Sequence, residues 1–354
     1  MISISVCMIV KNEGKILGRC LDSLKGIADE IIIVDTGSTD NTKEIAFKYT
    51  DKLFDFKWVD DFSAARNFSF SKATKDYIYV ADADEVLDEE NRKSFMLLKS
   101  AILPEIDIVQ MLYVTKTPFN TVLNSSKELR PKLYKRLRTF TWQDPIHETI
   151  RLTPIIYDSE IEVTHLPESL HSKRDFSIFL KTWERDKYLS DNSIRMYAKE
   201  LFKTGDTKDF AEALDIFETL YESGRESVMD EVCCVICKAY LLMGDSESFL
   251  QYAIHNLVNH ACSEICYCLG IFYYNHKGNH KEAITWFYNA AFETEAILDI
   301  HTCGDLALKG LYECNQLLSI EEKKAGNNTV AELYAEEAHK YETMYNNWEI
   351  PEEM

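Results

Sequence analysis

The feature that most constrains this chain is the run Glu30-Ile31-Ile32-Ile33-Val34-Asp35, a nearly unbroken stretch of β-branched apolar residues that ends in an acid. An apolar run without alternation reads as a strand buried on both faces, which is what a parallel sheet covered by helices requires. It stops at Thr36-Gly37-Ser38-Thr39-Asp40, a turn into a helix capped by Ser38, Thr39 or Asp40. The same theme recurs around it. Ile2 to Val10 is a strand, followed by the loop Lys11-Asn12-Glu13-Gly14 and an amphipathic stretch through Leu17, Leu21 and Leu24. A short strand from Leu53 to Phe56 precedes a helix from Asp61 to Ala73, and Tyr77 to Ala81 forms a strand that stops at Asp82-Ala83-Asp84-Glu85. This alternation specifies an α/β fold, a Rossmann-like and mostly parallel sheet in which ligands collect at the carboxyl ends of strands. Asp35 and Asp82 lie at such ends.

After a helix from Asn91 to Ala101, strands are expected over 107–116, 129–135 and 155–164, completing the sheet and forming a hairpin over its ligand face. Beyond Pro167 strand signals vanish and the chain reads as helical to its end. Gly205-Asp206, Gly244-Asp245 and Gly278-Asn279 mark turns 39 and 34 residues apart, and Ala211-Glu212-Ala213 and Lys281-Glu282-Ala283 lie 70 apart. A period near 34 with Gly-Asp or Gly-Asn between helices matches tetratricopeptide-like helix-turn-helix repeats. The expected organisation is an α/β domain over 1–166, a helical linker over 167–192 and an all-α repeat domain over 193–354.

The 354 residues carry a formal net charge of -20, which repels phosphate backbones and excludes nucleic acid as a general partner. The basic stretch from Arg130 to Arg138 remains a local candidate for holding a diphosphate. No apolar run approaches the roughly 20 residues that span a bilayer, so no transmembrane segment is expected. No export signal is read at the start either, and ten cysteines in such a chain are expected to be reduced thiols in the cytoplasm. Cys233, Cys234 and Cys237, with Cys262, Cys266 and Cys268, invite a zinc reading, because thiolates at i and i+4 share a helix face. Structural zinc sites usually draw on tight knuckles, however, and these positions need small apolar residues, so the cysteines read as core.

Asp82 and Asp84 carry the chemistry. Oxygen-only ligands suit hard divalent cations such as Mn2+ or Mg2+, which hold diphosphates while keeping several waters. In an extended segment the two side chains point to opposite sides, and a turn at the strand end is needed to aim both at one ligand.

Four segments in order resemble glycosyltransferase family 2. They are Ser5-Val6-Cys7-Met8-Ile9-Val10-Lys11-Asn12-Glu13, Ile33-Val34-Asp35-Thr36-Gly37-Ser38-Thr39-Asp40, Asp61-Phe62-Ser63-Ala64-Ala65-Arg66-Asn67 and Ala81-Asp82-Ala83-Asp84-Glu85. The nearest resemblance is to the bacterial branch that joins this GT-A catalytic domain to tetratricopeptide repeats and includes peptide S-glycosyltransferases. The resemblance implies that Val10, Asn12 and Glu13 line a nucleoside pocket, with Gly37 in the turn beside it. It implies that Asp35 accepts hydrogen bonds from the uracil and ribose of a UDP-sugar, and that Arg66 contacts base or phosphate. Asp82 and Asp84 fall at the metal and diphosphate motif. Lys132, in Arg130-Pro131-Lys132-Leu133-Tyr134-Lys135-Arg136, approximates a family segment whose basic residues hold the diphosphate as UDP leaves.

Such enzymes invert the anomeric centre by direct displacement, so a carboxylate is needed as general base on the acceptor. The segment Trp142-Gln143-Asp144-Pro145-Ile146-His147-Glu148 resembles the family's His-Glu segment and supplies Glu148 as the favoured base, Asp144 as second, and His147 to orient the site or touch phosphates. His165 stands where the family often has a histidine that completes a metal site, but Leu166 and Pro167 replace the Gly-Tyr pair expected after it. The implied reaction moves a hexose or N-acetylhexosamine from UDP-glucose or UDP-N-acetylglucosamine to a Cys, Ser or Thr side chain of a peptide or protein. A concave repeat surface suits an extended peptide. The repeats equally allow pairing of two copies of the chain, and a saccharide acceptor or an inactive, adaptor-like nucleotide domain are the alternatives. A nucleotidyltransferase would carry a Gly-rich basic loop after the first strand, which Lys11-Asn12-Glu13-Gly14 is not.

Overall fold

The structure, a computed structural model, describes residues 1–115, 127–146, 149–150, 154–166, 172–259 and 261–351. The described residues up to Tyr188 form one compact unit and those from Leu189 onward another.

The first unit is built on strands β1 (Ile4–Val10), β2 (Glu30–Asp35), β3 (Leu53–Asp55), β4 (Tyr77–Val80), β5 (Glu85–Val86), β6 (Ile108–Thr115), β7 (Lys127–Lys135), β8 (Trp142–Gln143), β9 (Thr149–Ile150) and β10 (Ile156–His165). Eight of these form one sheet in the order β3-β2-β1-β4-β7-β6-β10-β5. β1 pairs in parallel with both β2 and β4, and β2 with β3, so the first half is the parallel sheet that the apolar runs predict. The later strands complete the same sheet, β7 running antiparallel between β4 and β6. Of the strands expected to form a hairpin, the consecutive β6 and β7 pair antiparallel, and β8 and β9 form a separate two-stranded sheet.

Helices α1 (Leu17–Ser23), α2 (Thr42–Ala46), α3 (Phe62–Lys72), α4 (Glu89–Ala101) and α5 (Ser172–Asp186) accompany the strands. On one face Ile4, Val6, Met8 and Val10 of β1 pack with Leu17, Leu21, Leu24 and Phe95. On the other, Cys7, Ile32 and Ile78 pack with Ala73, Phe54 and Phe70. Each fully buried aliphatic or aromatic side chain contributes roughly 1.5–3 kcal/mol of burial, and strands buried on both faces draw this from every residue.

Local capping sets the helix starts. Asp61, in extended conformation, accepts from Ala64 N at 3.1 Å and begins α3, while Asp88 accepts from Asn91 N at 2.8 Å and begins α4. The expected cap of α2 is shifted. Asn41 holds the cap position without a side-chain bond, and Asp40 accepts instead from Thr42 N and Gly14 N, both at 3.0 Å. Asp40 thus stitches the loop after β1 to the loop after β2.

The second unit is helical, with α6 (Asp191–Thr204), α7 (Thr207–Glu222), α8 (Met229–Met243), α9 (Ser246–Asn259), α10 (Ser263–Ile271), α11 (His280–Tyr288), α12 (Asp305–Lys324) and α13 (Asn328–Asn346). The first helices of successive pairs begin at 191, 229, 263 and 305. Each Gly-Asp or Gly-Asn turn sits inside a pair. Gly244 and Gly278 take φ of 77° and 59°, left-handed values that end a helix, and the Asp or Asn that follows begins the next. Asp206 makes a full capping box with Asp209. A fourth such turn, Gly326-Asn327, joins α12 to α13 outside the period that the sequence suggests. Small residues set the packing between pairs: Gly270 and Gly310 both face the ring of Phe287, which is 1% exposed. Cys233, Cys234, Cys237, Cys262, Cys266 and Cys268 are all buried. Among the described residues, no helix is long and apolar enough to cross a membrane.

Candidate active site

The predicted site residues of the first strands meet at the carboxyl edge of the sheet. Val10 is paired with Asp35 in the β1–β2 register, so the two loops that follow emerge side by side. Asn12 has φ of 57°, a turn in which its backbone N–H donates to Ser38 Oγ at 2.9 Å and its Oδ1 accepts from Thr39 N at 2.7 Å. Glu13 N donates to Thr42 Oγ1 at 2.8 Å. These bonds hold both loops in one conformation before any ligand arrives. Gly37 has φ of 106° and open space where a Cβ would stand, which keeps the pocket mouth clear.

Asp35 is 1% exposed, and its two oxygens are treated differently. Oδ1 accepts from Gly37 N and Ser38 N, both at 2.9 Å, while Oδ2 is buried without a hydrogen-bond partner. A buried carboxylate oxygen left open is costly, and the nearby charge of Lys43 Nζ lies 3.7 Å from the other oxygen, Oδ1.

β1 lies between β2 and β4, so Asp35 and Asp82 stand two strands apart, about 10 Å at ordinary strand spacing. Asp82 keeps 47% of its side-chain surface open and faces Arg66 of α3, with 3.8 Å from Nη2 to Oδ1. Burial alone would raise the Asp82 pKa, but the charges of Arg66, Lys132, His165 and Arg130 outweigh it and hold the carboxyl below the usual range. The guanidinium of Arg66 lies over the Trp142 ring, 5.0 Å from its centroid. Trp142 is fixed in turn by a reciprocal pair of bonds with the Asn67 side chain, at 2.8 and 3.0 Å.

The turn after β4 aims Asp84 away from Asp82 and toward the last strand. β5 pairs antiparallel with the end of β10, Glu85 opposite His165, and Leu166 N donates to Asp84 O at 2.8 Å. This zips His165 to Asp84 with 2.9 Å between Nε2 and Oδ2. His165 Nδ1 is buried without a partner, and its ring lies 5.2 Å from that of Tyr113. Glu13 joins this acidic group. Burial first, and then the charge of Asp84, raise its pKa above the usual carboxyl value, against the pull of Arg174.

A divalent cation is what the family resemblance implies here, and the donors fit it in part. Carboxylate and imidazole are suitable ligands, and the orphaned Nδ1 leaves His165 with unspent capacity. Among the described residues, however, Asp82, Asp84 and His165 do not bring three ligand atoms within 4.8 Å of one another. Asp84 and His165 are together and Asp82 is turned to Arg66.

Lys132 is placed differently from the expectation of a diphosphate contact. Its ammonium sits 2.7 Å from both oxygens of Glu85, with side-chain exposures of 5% and 3%. It is spent on a buried ion pair and reaches the site only through its charge. Asp144 lies in the left-handed region with φ of 72°, next to Pro145, whose carbonyl accepts from Phe62 N at the start of α3 at 2.8 Å. His147 and Glu148 lie outside the described residues. Tyr113, which lies against His165, has no motif signal of its own, and Trp142, under Arg66, opens the His-Glu-like segment without being singled out in it. Each is an aromatic inside a strand and reads as core. A cavity of about 930 Å3 between α4 and β10 is lined by none of the predicted site residues.

Comparison with known proteins agrees with this geometry. Residues 5–153 match the family model described as glycosyl transferase family 2. A TPR repeat-containing protein of Synechococcus elongatus is 52% identical over 87 residues, covering 25% of this chain and 22% of that protein. The prophage-derived glycosyltransferase SunS of Bacillus subtilis is 40% identical over 93 residues, again covering 25% and 22%. The matches thus span only about a fifth of these curated relatives. Among solved structures, residues 1–349 of TarS from S. aureus superpose with a TM-score of 0.40 at 13% identity, over 73% of this chain and 92% of that one. Four motifs lie in order on a mostly parallel sheet, and it is this stretch, residues 5–153, that matches glycosyl transferase family 2.

Proposed function

We propose that this protein transfers a hexose or N-acetylhexosamine, with inversion, from UDP-glucose or UDP-N-acetylglucosamine to a Cys, Ser or Thr side chain of a peptide or protein. The observation that carries this reading is Asp35, a buried carboxylate with one oxygen anchored and the other open, two strands from Asp82, which faces Arg66 and is followed in the same turn by the Asp84 of the Asp84–His165 pair. That separation is about the reach from a pyrimidine ring to a pyrophosphate.

In this reading the open Oδ2 of Asp35 receives the uracil or ribose, and the loops of Val10, Asn12, Glu13 and Gly37 wall the nucleoside. Arg66, flat against Trp142, meets base or phosphate. Asp84 and His165, with Asp82 turning from Arg66, would hold Mn2+ or Mg2+. Such an ion offsets the negative charge that develops on the leaving diphosphate. Lys132 works from behind, keeping Asp82 ionised. Glu148 is the proposed base on the acceptor, with Asp144 as second and His147 as an orienting group. Stacked helix pairs support a peptide acceptor, because such stacks form concave surfaces for extended chains. The buried thiols suit a reducing cytoplasm.

The test is UDP release by the full chain with each UDP-sugar and Mn2+ or Mg2+, with and without peptide. Asp84→Ala is expected to lower metal-dependent turnover by roughly 100-fold or more with an unchanged melting temperature. Full turnover in that variant would remove the site.

A further inference from the structure

Away from the sheet, the helical unit holds the one place among the described residues where three metal-ligating side chains converge. Cys234 of α8, Cys262 at the N-cap of α10 and Glu264 in the first turn of α10 bring ligand atoms within 4.8 Å of one another. The two sulfurs are 3.4 Å apart. Cys234 is 1% exposed, Cys262 4% and Glu264 1%.

The carboxylate of Glu264 is what separates this cluster from a packed core. Oε1 accepts three backbone N–H groups, from Ile297 at 2.9 Å, Leu298 at 2.7 Å and Asp299 at 2.9 Å. Oε2 is buried with no hydrogen-bond partner. Three donors on one oxygen lock the group in orientation, so the open oxygen is a fixed feature of the fold. An open, buried anionic oxygen is costly unless positive charge meets it. Neither thiol beside it hydrogen-bonds to that oxygen, whereas a cation would supply the charge and take both sulfurs as ligands.

We propose that Cys234, Cys262 and Glu264 bind a zinc-class divalent cation through two thiolates and one carboxylate oxygen. Borderline-soft ions accept this mixed set, whereas Mg2+ and Mn2+ prefer oxygen donors. As each sulfur–metal bond forms, the thiol proton leaves to solvent, so two protons are released per ion bound. Two thiolates, one carboxylate and a divalent ion leave one net negative charge, which the three N–H groups on Oε1 face. The ion would join three segments of the helical unit: α8, the start of α10, and the 297–299 turn held by Glu264. The site does not rest on the transferase reading. The spacing of cysteines along one helix misses it, because the ligands come from two helices and one of them is a glutamate.

The experiment uses the reduced full chain, stripped by chelator and titrated with Cd2+ as a thiolate probe and with Zn2+ against a chromophoric chelator. One equivalent is expected, with a thiolate-to-metal charge-transfer band and release of two protons. Glu264→Gln retains an oxygen for the three N–H groups and should weaken binding roughly 10- to 100-fold with unchanged circular dichroism. Cys234→Ser should remove much of the band, and Cys262→Ser takes its place where that variant does not fold. No charge-transfer band in the parent chain, a band unaltered by either serine variant, or undiminished affinity in Glu264→Gln would each overturn the site.

Discussion

Lys132 and Glu85 form a buried ion pair that stands directly behind the acidic turn: the lysine ammonium lies 2.7 Å from both carboxylate oxygens, and Glu85 Oε2 also accepts from Asp82 N at 3.2 Å. Burial raises the Glu85 pKa and the lysine opposes it. Removing one partner leaves the other charge buried and alone, which costs about 3–5 kcal/mol. Lys132→Met is therefore expected to lower stability by that amount in urea unfolding. Lys132→Met with Glu85→Leu should recover most of it, because an apolar pair of similar volume is tolerated.

Asp35→Asn isolates the open oxygen. The amide oxygen can keep the bonds from Gly37 N and Ser38 N, while an NH2 replaces the acceptor Oδ2. UDP affinity measured by calorimetry is expected to fall about 10- to 100-fold, the loss of one hydrogen bond to a charged group, with the unfolding midpoint preserved. Unchanged UDP affinity would exclude Asp35 from the nucleoside pocket.

Arg66 affects both donor binding and the charge of Asp82. Asp82 is held ionised below the usual carboxyl pKa, so a function that needs it ionised is complete above that value and is lost as pH falls through it. Arg66→Met removes the first of the opposing charges and lets burial raise the pKa. The acid limb of donor binding is then expected to move to higher pH. Arg66→Lys keeps the charge but loses the flat contact with Trp142, so KM for the donor should rise several-fold with the acid limb nearly in place.

Gly310→Ala tests the packing of the helical unit. A Cβ at Gly310 would stand 2.7 Å from the Phe287 ring, and the ring is already met by Gly270. Overpacking of this kind costs about 1–3 kcal/mol, read as a drop in the melting temperature. Phe287→Leu in the same background should return part of it.

The strands were legible because their signals are local. The unalternating run of Ile31 to Val34 demands cover on both faces, whereas the capping of α3 by Asp61 and of α4 by Asp88 is seen only in the structure. Asp35, Asp82 and Asp84 were visible as motif residues at strand ends and Arg66 as a motif residue on a helix, and the structure brings Arg66 to 3.8 Å from Asp82. Lys132 was misread because its basic neighbours suggest an exposed strip. In a strand, every second residue turns inward, and only the pairing of β7 against β4 brings Lys132 under the turn that holds Glu85. The closeness of Asp84 and His165 was expected from the resemblance alone, since it depends on β5 and β10 meeting across 81 positions. The turn at Gly326-Asn327 lay outside the period because the stretch between α11, ending at Tyr288, and α12, starting at Asp305, is long and α12 itself has 20 residues.

The bond from Leu166 N to Asp84 O, with Arg19 holding Leu166 O at 3.0 Å, makes the exit of the last strand a structural brace for the acidic turn. Anyone dissecting this chain should note where that brace ends. A shortened version that stops at the final strand's last paired residue would keep every motif and still lose the clasp that sets the angle of Asp84, whereas one that runs on through α5 would keep it.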